Sequence, residues 1–250
     1  MTKIFAAGLG LQTFNSKGEV IATRYPKAFI RKDTNADIVD EFVNIFTEWF
    51  DYKGGNITIP FKDLNFDDLL HKFKDHEGTV KFLKMTRSVH TRVVVTLLET
   101  DEAPNDVNEA FLKLILISNL SIQPHNQNID DILGKLKNLA WTSQGPIDLD
   151  EINDCLLLAD VIGEPIHVYS EDKFPQMLDF VVTKGTRICD ASRVRLGAYV
   201  SPGTTVMHEG FIDFNAGTLG TSMVEGRISA GVVVGDGTDI GGAAFITETL

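Results

Sequence analysis

The sequence predicts an α+β N-terminal region followed by a parallel β-helix, a hexapeptide-repeat solenoid. Two observations carry the second half of that statement. Apolar residues recur every six positions at Ile188, Val194, Val200, Val206 and Ile212, and again at Ile228, Val234, Ile240 and Ile246. Small residues follow three positions later, at Ala191, Gly197, Gly203, Gly231, Gly237 and Ala243. Neither the helical period of 3.6 nor the strand period of 2 produces a beat of six. A fixed short repeat stacks one side chain per face on its equivalents in neighbouring coils. Glycine relieves the backbone where each face turns into the next. The beat slips once: Thr218 and Val224 continue the first series, yet the second begins at Ile228, only four residues on. The reset is expected between about 213 and 227, as a loop or distorted coil. Insertions in solenoids gather on the binding face, so this slip is a candidate site.

The third observation concerns residues 1–102, which read as a mixed α/β domain. Strands are expected over Lys3–Leu9 and Glu19–Arg24, joined by a turn at Ser16-Lys-Gly. An amphipathic helix over Asp37–Phe50 carries Ile38, Phe42, Ile45 and Phe46 on one face, with Asn35 as its cap. Phe66–Phe73 reads as a helix, and Thr79–Leu83 and Arg92–Leu98 read as strands. The run Val93-Val-Val-Thr-Leu-Leu98 is too continuously apolar for a one-sided edge. Residues 103–180 read as a helical segment and connector. Helices are expected from Asp106 to about Ile117, capped by Asn105, over Ile129–Trp141, and near Leu149–Leu158 after Gly145-Pro146. A short strand follows at Ile166–Tyr169. Residues 181–250 form the β-helix, incomplete at its C-terminal end.

Composition narrows the function classes. With 43% hydrophobic and 23% charged residues the chain is of the soluble globular type. A net charge of −12 argues against nucleic acid as a main partner, because phosphate binding needs clustered Lys and Arg. Cys155 and Cys189 stand far apart with no CxxC, which suits free thiols in a reducing compartment. The N-terminal Met1-Thr-Lys-Ile-Phe-Ala-Ala lacks the basic region of a signal peptide, and no apolar run is long enough to span a membrane. A cytoplasmic location is expected.

The candidate chemistry lies in the solenoid. Glu225, in Met223-Val-Glu-Gly-Arg227, sits at the phase slip, where a carboxylate beside Gly226 and Arg227 is a candidate base or nucleophile. A plain surface Glu–Arg pair is the competing reading. Glu209 takes a corner slot held by glycine in the two preceding repeats, which points it to a cleft, an ion or a neighbouring subunit, with a solvated corner as the competing reading. His208 beside it is a candidate general base, against a packing role. Asn215, Thr218 and Ser222, interleaved with Gly217, Gly220 and Gly226, offer backbone N–H groups for an oxyanion. One histidine and one cysteine in residues 181–250 exclude a three-histidine zinc site.

Four stretches also resemble a known family: Arg193-Val-Arg-Leu-Gly-Ala, Pro202-Gly-Thr-Thr-Val-Met-His-Glu-Gly-Phe, Phe214-Asn-Ala-Gly-Thr-Leu-Gly, and Ser222-Met-Val-Glu-Gly-Arg-Ile-Ser-Ala-Gly-Val-Val-Val-Gly-Asp-Gly. Together they are similar to the bacterial tetrahydrodipicolinate N-succinyltransferases, in their long-N-terminus branch. That resemblance implies a left-handed β-helix, a homotrimer, and succinyl transfer from succinyl-CoA to the amine of ring-opened tetrahydrodipicolinate, a step of lysine and diaminopimelate biosynthesis. It implies Glu225 as the catalytic carboxylate, through an acyl-anhydride or as a base, with Arg227 and Gly242 meeting the acyl-CoA. It implies Glu209 as a magnesium (Mg2+) ligand near the trimer axis. Three departures accompany it. Ser192 stands where the family has a second metal-binding aspartate. Phe245 and Glu248 replace small residues and are expected to obstruct CoA. The family continues for further coils, so a truncated chain is expected, with a partner or an N-terminal element covering the open end as the competing idea. Another hexapeptide-repeat acyltransferase using His208, and an inactive trimeric scaffold, are the alternatives.

Overall fold

The computed structural model describes residues 4–32, 35–50, 52–61 and 66–248, apart from the side chains of residues 36–38, 49 and 90. The chain divides into two compact units, Met1–Leu112 and Lys113–Leu250.

The first unit is built on an antiparallel sheet. Strands β1 (Ala6–Phe14), β2 (Val20–Ile30), β3 (Ile57–Pro60) and β4 (Val93–Leu98) lie in the order β2-β1-β4-β3. All six residues of β4 are buried, as its unbroken apolar run requires. Pro26 is tolerated because β2 is an edge strand. One face packs Leu9, Val93, Val95 and Leu97 against Phe42 and Phe46 of α1 (Ala36–Phe50), Leu69 of α2 (Phe66–Lys72) and Leu83 of α3 (Glu77–Thr86). Phe46 holds the cluster together, with Phe42, Phe61 and Phe73 rings centred 5.0, 5.6 and 5.1 Å away.

Two local expectations change. The strand expected at Thr79–Leu83 is part of helix α3, whose buried residues Thr79, Leu83 and Thr86 follow a helical, not an alternating, spacing. Asn35 turns back onto the preceding strand: its Oδ1 accepts from Lys32 N and its Nδ2 donates to Ile30 O. The expected position of Ile38's side chain lies outside the described residues.

Helix α4 (Val107–Ser118) crosses from one unit to the next in sequence. Asp106, not Asn105, caps it, since Asp106 Oδ1 accepts from Glu109 N at 2.9 Å. Glu109 reaches back to Asn105 N at 3.0 Å, completing a shifted capping box.

The second unit opens with a short helix, α5 (Ile132–Lys135), and a three-stranded antiparallel sheet of β5 (Leu139–Thr142), β6 (Gly145–Asp148) and β7 (Val168–Asp172) in the order β6-β5-β7. The helix expected over Ile129–Trp141 is therefore cut short. Leu139 to Thr142 are buried as the central strand, and Trp141 Nε1 donates to Asp172 O. Gly145-Pro146 lies in edge strand β6. Helix α6 spans Ile152–Ile162, starting and ending later than expected.

The parallel β-helix follows. Its two-residue strands are β8 (Arg187–Ile188), β9 (Tyr199–Val200), β10 (Thr205–Val206), β11 (Phe211–Ile212), β12 (Gly217–Thr218), β13 (Met223–Val224), β14 (Arg227–Ile228), β15 (Val233–Val234) and β16 (Phe245–Ile246). They form three sheets, β8-β10-β13, β9-β12-β15 and β11-β14-β16. The residues of the six-beat stack inside: Val194, Val200, Val206, Ile212, Val224 and Ile228 are all fully buried. Thr218 takes an inward slot too, its hydroxyl 2.7 Å from that of Thr204. The expected small-residue bends are left-handed in Gly197, Gly203, Gly231, Gly237 and Ala243, with φ between 64° and 95°.

Candidate functional site

The phase slip resolves into one shortened corner. Ile188, Val206 and Val224 pair in parallel register, three hexapeptides apart. Val224 then bridges Ile240, and Ile212 pairs with Ile228, each two residues short of that spacing. Thr218 and Val224 remain in phase, so the segment 213–224 is a regular coil. The whole deficit falls between Val224 and Ile228, where only Glu225, Gly226 and Arg227 turn the chain. This is a deletion in a corner, not an inserted loop.

The corners of adjacent coils keep their full length. Met207-His208-Glu209-Gly210 precedes the short one, and Gly241-Gly242-Ala243-Ala244 follows it. A short corner between two long ones leaves a notch with Glu225 on its floor. The short turn is possible because residue 226 is glycine: a β-carbon there would lie 2.4 Å from Ala244 O and 2.6 Å from Gly241 O. Glu225 N and Gly226 N both donate to Ile240 O, at 2.8 and 3.1 Å. Those N–H groups are spent inside the β-helix, so they do not form the expected oxyanion hole.

The polar residues expected to join it go elsewhere. Thr218 points into the interior. Asn215 Oδ1 accepts from His125 N at a different corner. Ser222 is 4% exposed and its hydroxyl has no partner among the described residues.

Glu225 and Gly242 do come together. Glu225 is exposed, and its Oε2 lies 3.7 Å from where a Gly242 β-carbon would stand. Arg227 begins the next face. Its Nη2 donates to Asp213 Oδ2 at 3.1 Å, and its guanidinium carbon lies 4.2 Å from the centre of the Phe211 ring and 5.5 Å from that of Phe245. Phe245, 65% exposed, thus stands beside Arg227. Glu248 instead lines a cleft of about 440 Å³ at the neighbouring corner, with Asp213, Asn215, Ser229 and Gly231.

Glu209 and His208 are exposed on the preceding corner. Glu209 lies 3.8 Å from Arg193 Nη2. The Ser192 hydroxyl donates to Asp190 Oδ1 at 2.7 Å, and Ser192 N donates to the same oxygen at 2.9 Å. These bonds, side chain first, hold the Asp190 carboxyl below its ordinary value, with the charge of Arg193 adding to them. Among the described residues no three His, Cys, Asp or Glu side chains gather as a metal site. With Glu209 paired to Arg193 and Ser192 to Asp190, one chain alone does not fit a magnesium ion.

Two residues of this surface are not among the candidates above: Asp213, which lies between the family-like stretches, and Arg195, which lies within Arg193-Val-Arg-Leu-Gly-Ala. Asp213 is 5% exposed and receives Arg195 Nη1 on Oδ1 and Arg227 Nη2 on Oδ2. The signal available in the sequence was register. Positions 195 and 213 occupy the same outward slot one coil apart, where opposite charges meet.

Comparisons with known proteins point one way. Residues 136–176 match the family model described as "Tetrahydrodipicolinate N-succinyltransferase middle". A Vibrio cholerae 2,3,4,5-tetrahydropyridine-2,6-dicarboxylate N-succinyltransferase is 44% identical over 248 residues, covering 98% of this chain and 71% of the relative. The enzyme of the same name from Pseudomonas putida is 40% identical, covering 99% of this chain and 70% of its own length. A crystal structure from Campylobacter jejuni, described as a candidate 2,3,4,5-tetrahydropyridine-2-carboxylate N-succinyltransferase, superposes with a TM-score of 0.80 at 27% identity, over 97% of this chain and 67% of that one.

Proposed function

The chain belongs to the tetrahydropyridine-2,6-dicarboxylate N-succinyltransferase family of acyltransferases, and from that premise we propose that it transfers succinyl from succinyl-CoA to the amine of ring-opened tetrahydrodipicolinate, with Glu225 as the reacting carboxylate. The observation that carries this reading is the shortened corner, which sets one exposed carboxylate in a notch walled by glycines. Glycine on the far wall leaves room for a thioester to approach Glu225.

In this reading a Glu225 oxygen attacks the thioester carbonyl carbon. The C–S bond breaks, the CoA thiolate leaves, and a glutamyl–succinyl anhydride remains. The substrate amine then attacks the succinyl carbonyl. The Glu225 carboxylate leaves, and the amine gives up a proton as the amide forms. Arg227 offers its positive charge to the anionic CoA beside the notch, and Gly242 keeps the groove open. His208, exposed one corner away, is the base of the alternative reading.

The resemblance also supports a homotrimer in the cytoplasm. A magnesium ion would then be held by Glu209 only where copies of the chain bring several such carboxylates together, since hard cations take several oxygen ligands. No helix among the described residues is long and apolar enough to cross a membrane.

The test is CoA thiol release with product mass analysis, paired with sedimentation for the oligomeric state. The expected result is thiol release that requires both substrates and yields the N-succinylated amino acid. Release abolished by His208→Ala but retained in Glu225→Ala would favour the alternative acyltransferase reading.

A further inference from the structure

A chain of alternating charges runs from the connector sheet onto the β-helix surface. Arg195 Nη2 donates to Asp172 Oδ2 at 2.7 Å, and Arg195 Nη1 to Asp213 Oδ1 at 3.2 Å. Asp213 Oδ2 accepts from Arg227 Nη2 at 3.1 Å. Asp213 Oδ1 also accepts from Phe214 N at 2.9 Å. The carboxylate is therefore turned by two donors on one oxygen, which leaves the other aimed at Arg227.

Aromatic rings fix the remaining freedom. Phe211, Arg227 and Phe245 are paired neighbours on one parallel sheet, with their side chains on its outer side. Two rings lie against the Arg227 guanidinium, and Phe211 sits within the range of a strong cation–π contact. A flexible arginine is held in one orientation, two residues after Glu225.

We propose that Asp213 is the positioning residue for Arg227: together with Phe211 it presets the guanidinium that meets the acyl-CoA. This rests on the role given above to Arg227. Asp213 touches neither the acyl donor nor the reacting atoms. It acts by setting where the arginine's free edge points, so the entropy of ordering that side chain is lost at folding rather than at binding.

Asparagine at 213 separates this role from general stability. Its amide has a single acceptor oxygen. Two donors already converge on the Oδ1 side, so the oxygen stays there and the NH2 group faces Arg227 Nη2, donor against donor. Asp213→Asn is expected to raise KM for succinyl-CoA by about five- to ten-fold, with kcat and KM for the amine substrate close to wild type. Phe211→Leu removes a ring and leaves every charge in place, and the same selective change is expected from it. This second variant keeps the test decisive if Asp213→Asn does not fold.

The deciding experiment is a double-mutant cycle with Arg227→Lys, read as KM for succinyl-CoA. Asp213→Asn is expected to have little further effect once Arg227 is lysine. Equal effects in both backgrounds, or an unchanged KM in Asp213→Asn and Phe211→Leu, would overturn the proposal. An unchanged KM in Arg227→Lys itself would instead overturn the role given to Arg227.

Discussion

Glu225 and Gly242 face each other across adjacent corners of the β-helix, with the carboxylate oxygen 3.7 Å from the place of the missing β-carbon. That distance is ordinary van der Waals contact. A methyl group fits there, and a longer side chain enters the notch. Gly242→Ala should fold and turn over close to wild type. Gly242→Leu should keep its melting temperature within a few degrees yet lose at least about ten-fold in kcat/KM for succinyl-CoA. Equal kinetics for the alanine and leucine variants would show that the groove does not pass Gly242.

Ala243 adopts φ of 64° at a bend where Gly197, Gly203, Gly231 and Gly237 stand in other repeats. A β-carbon in that region costs about 1 kcal/mol relative to glycine. Ala243→Gly should stabilise the chain by roughly that amount, seen as a higher urea midpoint at unchanged slope. Gly237 has φ of 76° and open space around its missing β-carbon. Gly237→Ala should destabilise by about the same amount, through backbone strain alone. A neutral effect at both positions would contradict the left-handed corner.

Asp190 gives a pH-dependent signature of the corner before Glu209. The Ser192 hydroxyl and N–H hydrogen bonds stabilise its ionised form, and the side chain is 42% exposed. Because the folded value is depressed, the associated stabilisation is present above the unfolded value and disappears as pH falls through the folded one. Its size at so exposed a site is small. Carboxyl NMR titration should show Asp190 below the ordinary aspartate value, and Ser192→Ala should move it up towards that value. An unmoved titration in Ser192→Ala would mean that the hydroxyl is not the main cause.

The β-helix was legible because its register is written in single residues: Val206, Val224 and Ile240 each occupy an inward slot that no other period explains. Glu225 was legible for the same reason, as the residue at which the beat slips. The nature of the slip was not. An apolar count registers a lost phase, but it cannot separate an inserted loop from a corner lacking two residues. That distinction needs the pairing of Val224 with Ile240. Thr79–Leu83 was misread because threonine and valine favour strands locally, whereas the burial of Thr79, Leu83 and Thr86 at helical spacing selects a helix. Leu139–Thr142 failed in the opposite direction, through pairing with both β6 and β7. Asp213 escaped notice because its partners, Arg195 and Arg227, lie in neighbouring coils rather than nearby in sequence.

The most direct test of the central claim is steady-state turnover of the chain against Glu225→Gln, with succinyl-CoA and tetrahydrodipicolinate both saturating. The substitution keeps the volume and the notch and removes only the nucleophilic charge. The expected result is a fall in kcat of at least about a hundred-fold, with circular dichroism and melting temperature unchanged. A Glu225→Gln chain that turns over at the wild-type rate would contradict it.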